Sequence, residues 1–210
     1  MASGQYHAVD DVERVIGAYI DSFVENNAAA KVVSDHLYSL GIGFAPIVDH
    51  ITFRTTDVLK RAEEFEQLGF AWDNKVGEKG LIEFDDWWAR VLRKPGFPAL
   101  FIDQAHEGSR GKSSVIPQWV EAFTDKLVHH VAIRVEDIDG AIEHLGKSGI
   151  QFAGNIVGVQ GSDLRQIFTK ADVKDGKPFT VLELTERHHG YEGFLPPQAE
   201  GLMKSSTETE

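Results

Sequence analysis

The chain has 210 residues, enough to bury a core in one large domain or two small ones, and its 42% hydrophobic and 26% charged residues are ordinary for a globular protein. A formal net charge of -12 repels a phosphate backbone, and the most cationic stretch, RVLRKPG at residues 90–96, reads as a strand running into a turn, so nucleic acid is not an expected partner. The absence of cysteine excludes disulfides, thiolate catalysis and thiolate metal sites and fits a reducing, cytoplasmic setting; no apolar run reaches the ~18–20 residues of a membrane span, and the N-terminus lacks the basic-then-apolar order of a signal peptide.

Residues 1–7 read as loose. From residue 9 to 40 apolar side chains recur at three- and four-residue spacing (Val12, Val15, Ile16, Tyr19, Ile20, Phe23), the mark of a helix. A break is expected at Asn26 and Asn27, followed by a second helix that stops at Gly41. A Gly/Pro connector leads to a strand at 50–55. Residues 58–68 read as a helix with Leu59, Ala62, Phe65 and Leu68 inward, ended by Gly69. Residues 81–92 and 98–104 read as strands and 107–115 as a polar loop. The order then recurs: a strand at His130, a helix over 138–145, and strands over 152–157, 164–169 and 179–184. Residues after Ser205 read as a disordered tail. The chain thus divides into an N-terminal helical segment (1–44), a first module (45–115), a second module (116–190) and a C-terminal segment (191–210), within one structural domain.

Sliding residues 50–70 onto 130–150 without a gap sets His50 on His130, Ile51 on Val131, Phe53 on Ile133, Arg54 on Arg134, Asp57 on Asp137 and Gly69 on Gly149. Two copies at this period do not make a solenoid. A duplicated strand–helix–strands module, its copies sharing one sheet system, accounts for the match. The common grammar of a βα unit explains the apolar coincidences but not a histidine and an arginine at identical offsets.

Alternate residues of a strand share a face, so His50, Thr52 and Arg54 look one way and Ile51 and Phe53 the other; His130, Ala132 and Arg134 repeat the pattern. Pseudo-twofold packing would bring the two imidazoles into one cavity. Two imidazoles hold a divalent ion well only with an anionic ligand. Glu183, flanked by Val181, Leu182 and Leu184, is a carboxylate too costly to bury without a partner, which a metal or an arginine could be. Two histidines and one carboxylate form the facial set of non-heme Fe(II) enzymes, and also suit Zn, Ni, Mn or Co. His129 competes with His130, and only strand alternation and the repeat register favour His130. His36 and His144 read as surface residues, His188 and His189 as loop residues.

The stretches VHHVAIRVEDIDGAIEHLGKSGIQF, LRQIFTK and FTVLELTERHHGYEGF resemble the C-terminal half of 4-hydroxyphenylpyruvate dioxygenase. DHITFRT, the LGF after its helix and WWARVLRKPGFPALFIDQ resemble the 2-oxoadipate dioxygenase/decarboxylase (hydroxyglutarate synthase) family. Both belong to the vicinal oxygen chelate superfamily, and the resemblance covers roughly residues 28–206. It implies an α+β fold of paired βαβββ modules, here with an N-terminal helical segment, and an iron centre on His50, His130 and Glu183. It implies a substrate-carboxylate contact at Arg54 and a substrate contact at Gln166. The implied partners are a small 2-oxo acid and dioxygen, with release of CO2. The chain looks near half the length of either enzyme, so the substrate does not transfer with the ligands, and the N-terminal helices are expected to supply part of the pocket wall. With both modules in one chain the site does not demand a homodimer.

Two other readings stand beside this one. A metal lyase or isomerase of the glyoxalase type would need a further carboxylate as base, for which Glu83 and Asp103 are candidates. A non-catalytic small-ligand-binding protein would need no metal. Arg134 reads as structural, Arg187 as a residue that orients the site or pairs with Glu186 or Asp172, and Phe168, Phe179 and Phe194 as core or pocket wall.

Overall fold

The computed structural model describes residues 3–209, with side chains described from Asp11 onward. Helices α1 (Ser3–Asn26) and α2 (Ala28–Ser39) meet at Asn27, whose extended backbone breaks the run and whose side chain caps α2 by accepting from the Ala30 N–H at 2.8 Å. α1 begins at Ser3, ahead of the loose first seven residues expected from the sequence. Gly41, at φ 74°, supplies the left-handed turn that ends α2.

Strand β1 (Val48–Arg54) follows, then α3 (Val58–Glu66), capped by Asp57. α3 buries Val58, Arg61, Ala62 and Phe65, whereas Leu59, expected inward, is 57% exposed. Beyond β2 (Ala71–Trp72), the strand expected over 81–92 is a hairpin of β3 (Leu81–Glu83) and β4 (Trp87–Arg93), because the Phe84 N–H closes a tight turn on the Trp87 carbonyl at 3.0 Å. β5 (Ala99–Ala105) completes the first module. A helix that the sequence reading did not identify, α4 (Ile116–Phe123), buries Ile116, Trp119 and Phe123. The second module runs β6 (Val128–Arg134), α5 (Ile138–Lys147), β7 (Phe152–Val157), β8 (Leu164–Thr169), a small hairpin of β9 (Val173–Lys174) and β10 (Lys177–Pro178), and β11 (Val181–Arg187). α6 (Pro196–Ser205) closes the chain.

One sheet joins both modules in the order β2-β4-β5-β1-β6-β11-β8-β7, with β3 on the edge of β4. β1 and β6 pair antiparallel at its centre, each flanked by the last long strand of its own module, β5 and β11, in parallel. The pair Ile51–Val131 sits in the middle of the β1–β6 ladder, so the pseudo-twofold relating the halves passes through it. On one face Ile51, Phe53, Val131 and Ile133 pack with α1, α2, α3 and α5 into the largest apolar core. α4 and α6 cover the other face. The N-terminal helices therefore do not wall the pocket, since their apolar stripe is spent on the opposite side of the sheet. The tail expected to be disordered also packs: Ser206 is 2% exposed, and the Glu208 carbonyl accepts from the Ala171 N–H at 2.7 Å.

Candidate metal centre

The repeat register does what the sequence suggests. His50, His130 and Glu183 are all buried, and one donor atom from each lies within 4.8 Å of the others. Glu183 Oε2 is 3.3 Å from His50 Nε2 and 3.4 Å from His130 Nε2. Metal bonds of ~2.1 Å to neighbouring donors put those donors ~3 Å apart, so the set fits a small divalent ion without large movement. The carboxylate is arranged for it: Oε1 accepts from Thr185 Oγ1 at 2.8 Å and from the Gln166 amide, leaving Oε2 turned to the imidazoles. Burial alone would raise the Glu183 pKa, but the two histidines and the Thr185 hydrogen bond hold it below its ordinary value. The Thr52 hydroxyl lies 2.8 Å from His130 Nε2, the atom that would bind an ion.

Two β-bulges set the imidazoles. Between Val48 and His50, and again between Val128 and His130, one residue is extra in the β1–β6 ladder. These residues are Asp49 and His129, and a bulge turns each toward the face of the histidine that follows it. Asp49 Oδ2 lies 2.9 Å from His50 Nδ1, and Arg187 clamps the same carboxylate through Nε and Nη2, both at 2.9 Å. Arg134 adds a contact at 2.8 Å. Burial works against this charge, but His50 and Arg187 overcome it and hold the Asp49 pKa far below the usual carboxylate range. His129 Nδ1 lies 2.9 Å from His130 Nδ1, so a neutral ring does for His130 what a carboxylate does for His50. The two imidazoles differ accordingly. Burial alone would lower the His50 pKa, but Glu183 and Asp49 raise it to about 9; burial, only partly opposed by Glu183, takes His130 down to about 3.

Above the donors is a cavity walled by Trp87, Phe101, Phe168, Phe194, Leu202 and Met203, the last two from α6. Its polar wall is Arg54, Asp103, His129 and Gln166. Arg54 is 1% exposed; its Nη2 donates to Met203 Sδ at 3.0 Å and Ser206 Oγ at 3.1 Å, while its Nε has no partner among the described residues. Asp103, 2% exposed, is register-paired with Arg54 on β5, and its Oδ1 is likewise unpartnered. Burial pushes its carboxyl up to about 7, against the pull of Arg54 and His50.

The paired modules are not equivalent at the ion. His50 faces Ala99 across β1–β5, and His130 faces Val181 across β6–β11, so the first-module counterpart of Glu183 is Phe101. By the next ladder outward, the counterpart of Gln166 is Ala89. At the position equivalent to Glu183 the first module therefore presents an aromatic ring, and its one carboxylate in the cavity is Asp103, beside Arg54.

Of the residues singled out in the sequence, His50, His130, Glu183, Arg54 and Gln166 converge, with Gln166 holding Glu183. Glu83, weighed as a base, has a side chain 56% exposed and pairs with Arg110 away from the cavity, whereas Asp103 lies inside it. Phe168 and Phe194 wall the cavity; Phe179 packs on Trp119 and Phe123. The ending GFLPPQAEGLMKSS, by its resemblance, implies the helix found as α6, but not its place in the cavity wall; Asp49 was not identified, and His129 enters the sequence reading only as a rival ligand, the DH and HH pairs at the same repeat offset being the available signal.

This is the paired βαβββ fold of the vicinal oxygen chelate superfamily. No protein-family model matches the chain, and no curated protein matches it in sequence. Among solved structures it is similar to a protein from Shewanella frigidimarina described as a candidate hydrolase (TM-score 0.71, 18% identity, 88% of this chain and 98% of that one). It is also similar to hydroxyglutarate synthase from Oryza sativa in complex with 2-oxoadipate (TM-score 0.68, 15% identity, 95% and 93%). A mutant of 4-hydroxymandelate synthase from Streptomyces coelicolor matches with TM-score 0.61 and 18% identity over 79% of this chain, which spans 55% of that protein. The expectation of a chain half as long therefore fails for the rice protein.

Proposed function

We propose that this chain is a non-heme Fe(II) dioxygenase/decarboxylase of small 2-oxo acids. The observation that carries the reading is the ligand count: two imidazoles and one carboxylate on one side, with Phe101 where the pseudo-symmetry would place a second carboxylate. Three open positions suit a bidentate 2-oxo acid and dioxygen. The metal-lyase reading asks for a further carboxylate as base: Phe101 stands where the pseudo-symmetry would place it, Glu83 turns away, and Asp103 inside the cavity is the candidate left to it. Two neighbours are named for synthases of hydroxy acids, one of them in complex with a 2-oxo acid, which agrees with this choice.

A ferrous ion on His50, His130 and Glu183 would supply Lewis acidity toward the 2-oxo acid and electrons toward dioxygen. The chain's own residues do the rest. Gln166 and Thr185 fix the carboxylate so that Oε2 faces the ion. Asp49 accepts from His50 Nδ1, leaving Nε2 free to bind. The aromatic walls and α6 exclude water from the reacting centre, and Arg54 meets the polar far end of the substrate.

The test is oxygen uptake by the Fe(II)-loaded protein with a panel of 2-oxo acids, read beside CO2 release and a His130→Ala control. Uptake matched by CO2 and lost in the control supports the reading. No uptake from protein shown to hold iron at this site overturns it in favour of the lyase or isomerase.

A further inference from the structure

Arg54 and Asp103 form an unfinished pair. They are register partners on neighbouring parallel strands, both line the cavity, both are almost wholly buried, and they make no hydrogen bond to each other. Each keeps a buried polar atom without a partner among the described residues, a donor at Arg54 Nε and an acceptor at Asp103 Oδ1. Leaving one such atom unmet costs ~1–3 kcal/mol, so a donor and an acceptor left on register partners that line one cavity point to a ligand that satisfies both. Beside an ionised Asp103, its state at the pH 8 of the test below, a ligand carboxylate can accept from Arg54 but has nothing to donate to Asp103 and adds a second negative charge. A ligand ammonium meets Asp103 but is repelled by Arg54. A purely apolar end leaves both unmet.

Resting on the function proposed above, we infer that the substrate is a 2-oxo acid whose far end is a neutral group that both accepts and donates, a terminal carboxamide fitting best. Its carbonyl accepts from Arg54 and its N–H donates to Asp103. It differs from the substrate carboxylate that the resemblance implies at Arg54, because Asp103, once ionised, balances the guanidinium. His50 and Arg54 stand four residues apart on β1 and both line the cavity, so a flexible methylene chain separates the two ends of the ligand.

The experiment is anaerobic calorimetry on the Fe(II)-loaded full chain at pH 8, with three seven-carbon ligands: 2-oxopimelate, its 7-amide and 2-oxoheptanoate. All three present the same chelating end to the metal, and at this length the amide does not close a five- or six-membered ring. The expected ranking has the amide tightest, by at least tenfold over 2-oxopimelate, and Asp103→Asn brings 2-oxopimelate level with the amide or ahead of it. Tightest binding of 2-oxopimelate by the unmodified protein overturns the inference and leaves the proposed function standing. So does equal binding of all three. If none binds protein that holds iron, the proposed function itself falls, and the inference with it. The ranking in the unmodified protein decides the matter even if the variant fails to fold.

Discussion

Asp49 and His129 occupy the same place in the two halves of the molecule: each is the extra residue of a β-bulge, and each contacts Nδ1 of the metal-facing histidine after it at 2.9 Å. One is an anion clamped by arginines, the other a neutral ring. Such partners fix the tautomer and orientation of a ligating imidazole, and losing one typically costs roughly 10–100-fold in metal affinity. Asp49→Ala and His129→Phe are each expected to weaken Co(II) binding by that range, measured by competition with a chelator. Unchanged affinity in both would show that the bulge residues do not orient the ligands.

The unequal partners predict a pH dependence. His130, at about 3, is already neutral at pH 7, whereas His50, at about 9, is protonated in the metal-free protein. An ion must displace that proton, so its affinity rises about tenfold per pH unit up to about 9, with about one proton released per ion. Titration in buffers of different ionisation enthalpy counts that proton. For the metal-free fold the sign is opposite: the raised His50 pKa contributes stability that is fully present below 6.5 and lost as pH rises through about 9.

Phe101→Glu restores the pseudo-symmetric carboxylate. The expected result is metal binding at least as tight as in the parent, with oxygen uptake reduced about a hundredfold or more because an open position is filled. Uptake near the parent level would argue that Phe101 does not border the reacting face.

Asp103 bears on stability. Its folded pKa of about 7 lies above the unfolded value of 3.8, so the fold prefers the neutral acid. The contribution of Asp103 to stability is most favourable below 3.8 and falls as pH rises to about 7, by on the order of 4 kcal/mol in the metal-free protein, against the opposite trend from Asp49 and Glu183. Asp103→Asn is expected to flatten this slope and to be more stable than the parent at pH 8, as read from urea melts at both pH values.

The convergence of His50, His130 and Glu183 was legible because they obey rules visible in one dimension: strand alternation for the histidines, and an isolated charge in an apolar run for Glu183. What escaped were features that break those rules. A bulge cancels alternation, which hid the facing of Asp49 and His129. The repeat offset is 80 at β1 and β6 but 82 at β5 and β11, so the sequence register alone aligns Glu183 with Asp103 rather than with Phe101. Periodicity identified α1 and α2 as helices but carries no information on which face of a sheet they cover. α4 spans only eight residues, too short for its pattern to stand out from a loop.

The lopsided centre divides labour between the duplicated halves. Strands β6, β8 and β11 contribute two of the three clustered donors and the amide that steadies the carboxylate, while β1 and β5 contribute a single donor and then Phe101, Asp103 and Arg54. On the function proposed above, one half would grip the ion and the other would read the substrate. Choice of substrate can therefore drift through exchanges on two adjoining strands without loosening the hold on the ion, a freedom that a symmetric four-ligand centre would not allow.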